Sequence, residues 1–337
     1  MAQIMAGAPT GGAELFFERM TAALARAGET VLPIIRTDHA RAARLQSTGL
    51  SPIQLGFGGA LDLVTRPRIA RRLRAFAPRL VMAWMSRAAA MTPRGDWLTA
   101  GRLGGYYDLR RFRHCDHLVA NTRGLVQWIE RQGWPAPRVH HLPNFSPDLA
   151  GTPPARLPTP PGAPVVLAMG RLHRNKAFDV LVRALPLIPG AHLVLAGDGP
   201  ERDPLVNLAR AEGVADRLHL LGWRSDQASL LAASTLLCCP SRQEPLGNVV
   251  LESFSATIPV IAAASAGPTE LIRHGETGLL VPLEDPQALA EAICAVIDDQ
   301  ALAGRLAAAG RLEFLAHHAE APVVATWQAS LATMERV

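Results

Sequence analysis

The sequence predicts an α/β fold of two parallel-sheet domains, and three observations carry that expectation. Short apolar, β-rich runs alternate with helical patterns along the whole chain, the rhythm of parallel sheets flanked by helices. A length of 337 residues, 49% of them hydrophobic, suffices for about two cores. A proline-rich stretch without periodicity, 146–164, interrupts the alternation near the middle, and the charge changes sign there. Residues 1–145 carry 20 arginines against 9 acids, a net +11, and the remainder a net −6.

Taken in order, the strand patterns fall at 3–5, 31–35, 80–84 and 118–120, then at 165–169, 193–196, 236–239 and 260–263, with helical patterns between. The expected domains are 1–147 and 165–320, joined by a spacer at 148–164. A final helix is expected in 321–337, with its pattern clearest over 322–334. Ligands bind at the carboxyl ends of strands in open α/β sheets, so the chemistry is expected in a cleft between the two domains.

Composition narrows the function. No apolar run reaches the roughly 18 residues that cross a bilayer, and the start lacks a basic segment followed by an apolar one, so a cytoplasmic protein is expected. Cys115, Cys238, Cys239 and Cys294 form no C-x-x-C pair, which disfavours a zinc ribbon or a disulfide framework. The basic first half calls for an anionic partner. Without a binding module or interleaved aromatic residues, nucleic acid is not expected to be that partner.

The motifs lie where strands end. Gly11 and Gly12, after the first strand, bring bare backbone to a helix start, suited to a phosphate, although no G-x-G-x-x-G or P-loop pattern is present. After the fifth of these strand patterns come Gly170, Arg171 and, five positions on, Lys176, the chain's one lysine beside 33 arginines. A guanidinium fork and an ammonium point charge together suit a diphosphate. Gly199 opens a proline-started helix, and Trp223 follows another strand end and can line a base pocket. The densest segment is 238–254: Glu244 in a loop, then Leu246, Gly247, Asn248 and Val249 at a helix start, then Glu252 inside the helix. Amides there favour a phosphate, and a carboxylate accepts two sugar hydroxyl bonds. Glu270 reads equally as a ligand or as a first-turn helix charge.

Taken together, Gly11-Gly12, R-x4-K from Arg171 to Lys176, Gly-Asp-Gly-Pro at 197–200 and E-x7-E from Glu244 to Glu252 resemble the retaining glycosyltransferases of family 4. The resemblance implies the GT-B architecture: two Rossmann-like domains facing a cleft, with a C-terminal helix crossing back to the first. It also implies a nucleotide-diphosphate-sugar donor. Arg171 and Lys176 would contact the diphosphate, Glu244 the sugar hydroxyls and Glu252 the ribose, making Arg171, Lys176 and Glu244 the catalytic candidates. The donor-site candidates are then Gly11, Gly12, Gly170, Gly199, Trp223 and Leu246 to Val249.

Residues 101–122, which include Tyr106 and Tyr107, are similar to a subgroup of proteobacterial transferases of the lipopolysaccharide core. That likeness implies a glycan or glycolipid acceptor at the inner face of the membrane. The basic helix at 66–76, with Ile69, Leu73 and Phe76 on one face, suits either anionic headgroups or plain solvent. Many family members place a histidine after the fourth N-terminal strand, where this chain has Trp84 and Arg87. Those two, with Tyr106 and Tyr107, are the candidate acceptor contacts, and His39, His114 and His117 are substitutes for the histidine. No D-x-D occurs, which argues against a divalent metal holding the diphosphate; no cofactor is expected, the nucleotide sugar being a co-substrate. The alternatives are a nucleotide-sugar epimerase on the same architecture and a non-catalytic nucleotide-sugar binding protein.

Overall fold

The computed structural model describes residues 1–9, 11–58 and 62–335. Thr10 of the first glycine loop and Arg336 and Val337 of the expected 321–337 helix lie outside the described residues. The chain forms two compact units, Met1–Asn144 with Glu320–Val337, and Phe145–Ala319.

The first unit holds a seven-stranded parallel sheet: β1 (Ala2–Met5), β2 (Leu32–Arg36), β3 (Ile53–Leu55), β4 (Leu80–Trp84), β5 (Leu98–Leu103), β6 (His117–Ala120) and β7 (Val139–His141), in the order β3-β2-β1-β4-β5-β6-β7. The order reverses between β1 and β4, which places the loop after β1 at a switch point. The sequence pattern shows β1, β2, β4 and β6 and passes over the rest. β3 and β7 are three residues each. β5 carries a glycine and an arginine inside a fully buried strand. Gly101 is required there because a Cβ would run into the Phe112 ring.

The second unit holds six parallel strands: β8 (Val165–Met169), β9 (His192–Ala196), β10 (Leu218–Gly222), β11 (Leu236–Cys239), β12 (Val260–Ala263) and β13 (Leu279–Val281), in the order β10-β9-β8-β11-β12-β13. Successive residues feed opposite faces. Val166, Ala168, Leu193 and Cys238 enter one core, and Val165, Leu167, Val194 and Cys239 enter the other. A sheet covered on both faces explains why these strands read as continuous apolar runs. Its order reverses between β8 and β11, so the loops after those two strands open side by side.

The stretch expected as a spacer differs. It belongs to the second unit, with Leu149, Ala155 and Leu157 packed on that unit's core and Arg311 gripping Asp148 through two bonds of 2.7 Å. Three apolar side chains among the prolines suffice to dock it.

The final helix, Glu320–Thr333, packs with the first unit against the helix Gly12–Arg26. Trp327 is fully buried, stacks on Trp84 with centroids 5.9 Å apart and donates its ring N–H to the Pro143 carbonyl at 3.0 Å. Arg79 donates to the last carbonyls, of Leu331, Ala332 and Met334, at 2.7 to 2.8 Å. A cation at a helix C-terminus satisfies the orphan acceptors and the dipole together. Among the described residues, no helix is long and apolar enough to cross a membrane.

Candidate active site

The switch point of the second unit assembles the central pair. Lys176 lies in the loop after β8 and Glu244 in the loop after β11, 68 positions apart, and the ammonium donates to the carboxylate at 2.5 Å. The Lys176 side chain is 26% exposed and that of Glu244 11%. The Ser241 hydroxyl donates to the same carboxylate oxygen at 3.3 Å. Burial opposes the Lys176 charge, but the Glu244 carboxylate, with Glu252 behind it, outweighs it and raises the lysine above its usual value. The lysine is therefore a full cation at neutral pH. The thiol of neighbouring Cys239 is pushed up to about 11, chiefly by burial, and stays neutral.

Arg171 is exposed in the same loop, and its guanidinium makes no ion pair among the described residues. Backbone bonds stitch this loop to the one after β9: the Gly170 amide to the Ala196 carbonyl and the Leu172 amide to the Asp198 carbonyl, both at 2.9 Å. Gly199 is forced by that approach, since a Cβ would sit against the Leu172 carbonyl. Gly247, at φ +94, caps the helix Asn248–Ala256. The cap thus falls on a left-handed glycine, beside Leu246, buried under the loop, and ahead of Asn248 and Val249 in the first turn. The Glu244 Cγ is 3.6 Å from where a Gly247 Cβ would stand, so the helix start adjoins the carboxylate. Glu252 lies just over one turn in and acts on Lys176 through its charge. Trp223, 67% exposed, follows β10 at the same rim, where the Gly222 carbonyl accepts from Gly197. Glu270 is exposed on the short helix Ala266–Leu271.

Arg242 was not among the expected site residues. Its guanidinium bonds the Arg174 carbonyl at 2.7 Å, both Asp179 oxygens at 2.7 Å, and Glu284 through Nε and, at 2.8 Å, through a terminal nitrogen. It ties the Lys176 loop to the Glu244 loop. Two signals pointed to it: an arginine two positions before Glu244, and an acid three after Lys176.

In the first unit, Gly11 caps the helix Gly12–Arg26 in extended backbone. Glu14 fills the turn: its carboxylate accepts from the Ala8 amide at 2.9 Å, and a Cβ on Gly7 or Gly11 would collide with it. The expected anion seat at this helix start thus already holds a carboxylate of the chain. The sequence marks Glu14 only as a first-turn acid.

Of the acceptor candidates, Trp84 is corrected. It is 2% exposed, stacked on Trp327, with its ring N–H on Gln3 at 2.5 Å, and so belongs to the packing of the unit. Arg87 is exposed and lines a pocket of about 840 Å³. Tyr106 is exposed and edge-on to Trp128 at 5.3 Å, while Tyr107 stacks on Phe112. His117 is engaged on both ring nitrogens, with the Glu335 carbonyl at 2.7 Å and His140 at 3.0 Å. His39 is exposed at the start of the helix His39–Gln46, and half-buried His114 is held below its ordinary value by desolvation and by Arg66 and Arg94.

Comparison with known proteins fits this geometry. Residues 163–299 match the family model described as glycosyl transferases group 1, a span that contains the β8 and β11 loops. The lipopolysaccharide core biosynthesis glycosyltransferase LpsE of Rhizobium meliloti is 37% identical over 308 residues, 89% of each chain. LpsD of the same organism is 34% identical over 307 residues, again 89% of each. The crystal structure of Anabaena HepE in complex with UDP and glucose superposes with a TM-score of 0.83 at 21% identity, covering 99% of this chain and 100% of that one. The fold is therefore GT-B, and relatives of this kind set the epimerase reading aside. The chain belongs to the group 1 glycosyltransferases, in the family that includes LpsE and LpsD.

Proposed function

We propose that the protein transfers a hexose-type sugar, with retention, from a UDP- or GDP-sugar to a glycan or glycolipid acceptor in the synthesis of lipopolysaccharide core or a related surface glycan. The observation that carries this reading is the Lys176–Glu244 pair at the switch point, flanked by the unpaired Arg171 and a helix start. The names of LpsE and LpsD supply the acceptor class, and HepE, crystallised with UDP, a precedent for the donor.

In this mechanism the donor's anomeric C–O bond to the diphosphate breaks while an acceptor hydroxyl oxygen bonds the same carbon from the face the diphosphate leaves. The hydroxyl proton passes to the departing phosphate oxygen, so no protein base is needed. Lys176, held at the site by Glu244, and the exposed Arg171 of the same loop stabilise the charge growing on that phosphate. Glu244, released as Lys176 turns to the phosphate, accepts hydroxyls of the donor sugar, and Glu252 accepts those of the ribose. Two cations of one loop do the work a metal would do, which fits a sequence without D-x-D. Turnover should survive EDTA, and its complete loss there would overturn metal independence.

The enzyme works at the cytoplasmic face of the membrane. Supporting this, Ile69 and Leu73 are buried under the helix Thr65–Phe76, and Arg68, Arg71, Arg72 and Arg74 form its exposed face. The cations are therefore free for an anionic surface, whereas an apolar insertion is not. Product analysis decides the reaction. Candidate UDP- and GDP-sugars incubated with truncated core oligosaccharide should give an α-linked product from an α-linked donor. Donor binding without transfer would favour the non-catalytic alternative.

A further inference from the structure

The pocket beside Arg87 carries a charge pattern that the reaction described above does not use. It lies in the first unit, on segments that follow the carboxyl ends of β3, β4 and β5, the edge at which open α/β sheets bind ligands. Its volume of about 840 Å³ falls within the roughly 300–1,000 Å³ of small-molecule sites. Arg66, in the first turn of the helix Thr65–Phe76, Arg87, in the helix Met85–Met91, and Arg111, in the turn Leu109–Phe112, line it from three separate elements. None of the three makes an ion pair among the described residues, although arginines elsewhere in this unit, Arg26, Arg41 and Arg44, do.

The one acid in the lining, Asp62, offsets one of the three charges and leaves a surplus of two. Asp62 accepts from the amides of Gly58 at 2.7 Å, Thr65 at 2.9 Å and Val64 at 3.2 Å, which anchor its carboxylate to the turn that starts the helix, and it makes no ion pair with the three arginines among the described residues. The rest of the wall is apolar around Phe57 and Met91, with Ser86 as a neutral hydroxyl. Three forked cations over an apolar floor suit a sugar ring that bears a phosphate or a carboxylate.

We propose that this pocket is a subsite for an anionic substituent, phosphate or carboxylate, on the acceptor sugar. The proposal rests on the glycosyltransferase reading and deepens it: the acceptor is selected as a charged saccharide, through Arg66, Arg87 and Arg111, over a neutral one.

The test uses the full chain and three probes: glucose 6-phosphate, glucuronate and neutral glucose, titrated by calorimetry. Wild type is expected to bind at least one of the two anionic sugars and to bind glucose at least tenfold more weakly. The double variant Arg66→Gln/Arg111→Gln should lose at least tenfold in affinity for the anionic sugar. So should Arg87→Glu, a second variant that keeps the proposal testable if the first misfolds. In Lys176→Ala the anionic sugar should still bind, whereas loss there with retention in the arginine variants would place the anion in the donor loop and overturn the proposal. No binding of either anionic sugar by wild type also overturns it. Vesicles of phosphatidylglycerol and phosphatidylcholine separate the remaining source. Binding to the anionic vesicles that is lost in the arginine variants but not displaced by glucose 6-phosphate would assign these arginines to a lipid surface and overturn the proposal. UDP and GDP titrations of the arginine variants report the donor site separately, so a failed subsite is distinguishable from a failed glycosyltransferase reading.

Discussion

At the scale of single residues, Lys176 is a half-buried ammonium whose counterion is another part of the site. Lys176→Ala removes the cation and leaves the Glu244 carboxylate, 11% exposed, without its partner. The expected loss is about 100- to 1,000-fold in kcat/KM, the usual effect of deleting one group that stabilises transition-state charge. Lys176→Arg is not expected to restore it, because a planar fork cannot take the place of a point charge seated between two loops. Lys176 was legible because an arginine-rich chain retains one lysine. Glu14 was not, because an acid in a first helical turn is common, and nothing in the sequence says that its carboxylate folds back into the glycine turn. Trp84 misled for a related reason. A tryptophan at a strand end reads equally as a sugar platform or as packing, and its partner Trp327 is 243 positions away, beyond any local pattern.

At the scale of elements, two loops must keep register for the pair to form. Arg242, in the loop of Glu244, reaches across to the Arg174 carbonyl and Asp179 beyond β8 and also holds Glu284. Arg242→Ala should lower kcat about tenfold or more with a smaller change in the donor's KM, while Asp179→Asn, which keeps the shape and weakens the charge, should cost less. Steady-state kinetics on both variants check this, and unchanged kcat in Arg242→Ala would reduce the cluster to surface charge. Gly247→Ala places a side chain at φ +94, at a cost of about 1–2 kcal/mol. It should lower the melting point by roughly 2–8 °C and weaken donor binding with it. Strands buried on both faces were legible as apolar runs. The edge and interrupted strands, β3, β5 and β7, were not, because three residues, or six holding a glycine and a buried arginine, carry no periodicity.

At the scale of the whole molecule, the stability of the first unit depends on the end of the chain. Trp327→Ala deletes a ring stacked on Trp84 and near the buried Arg102 guanidinium, and should cost about 3–5 kcal/mol in chemical denaturation. Acid should act on the same unit. His140, against His117, is held down to about 4, first by burial and then by that neighbour. Its folded value lies below its unfolded value of about 6.5, so the unfolded chain binds the extra proton first, and stability falls as pH drops from about 6.5 to 4. His140→Asn should flatten the denaturation midpoint across that window, and an unchanged slope would contradict the assignment. The change of charge at midchain was legible, but the docking of 148–164 was not, because three scattered apolar residues among prolines do not register as an element.

The loops after β8 and β11 are proposed to form the donor site, with Lys176 as its phosphate cation. The most direct test is a calorimetric titration of UDP and of GDP into wild type and Lys176→Ala. One nucleotide should bind wild type, with an affinity that falls at least tenfold in the variant. Equal affinity in both proteins, or binding of neither nucleotide to wild type, would contradict it.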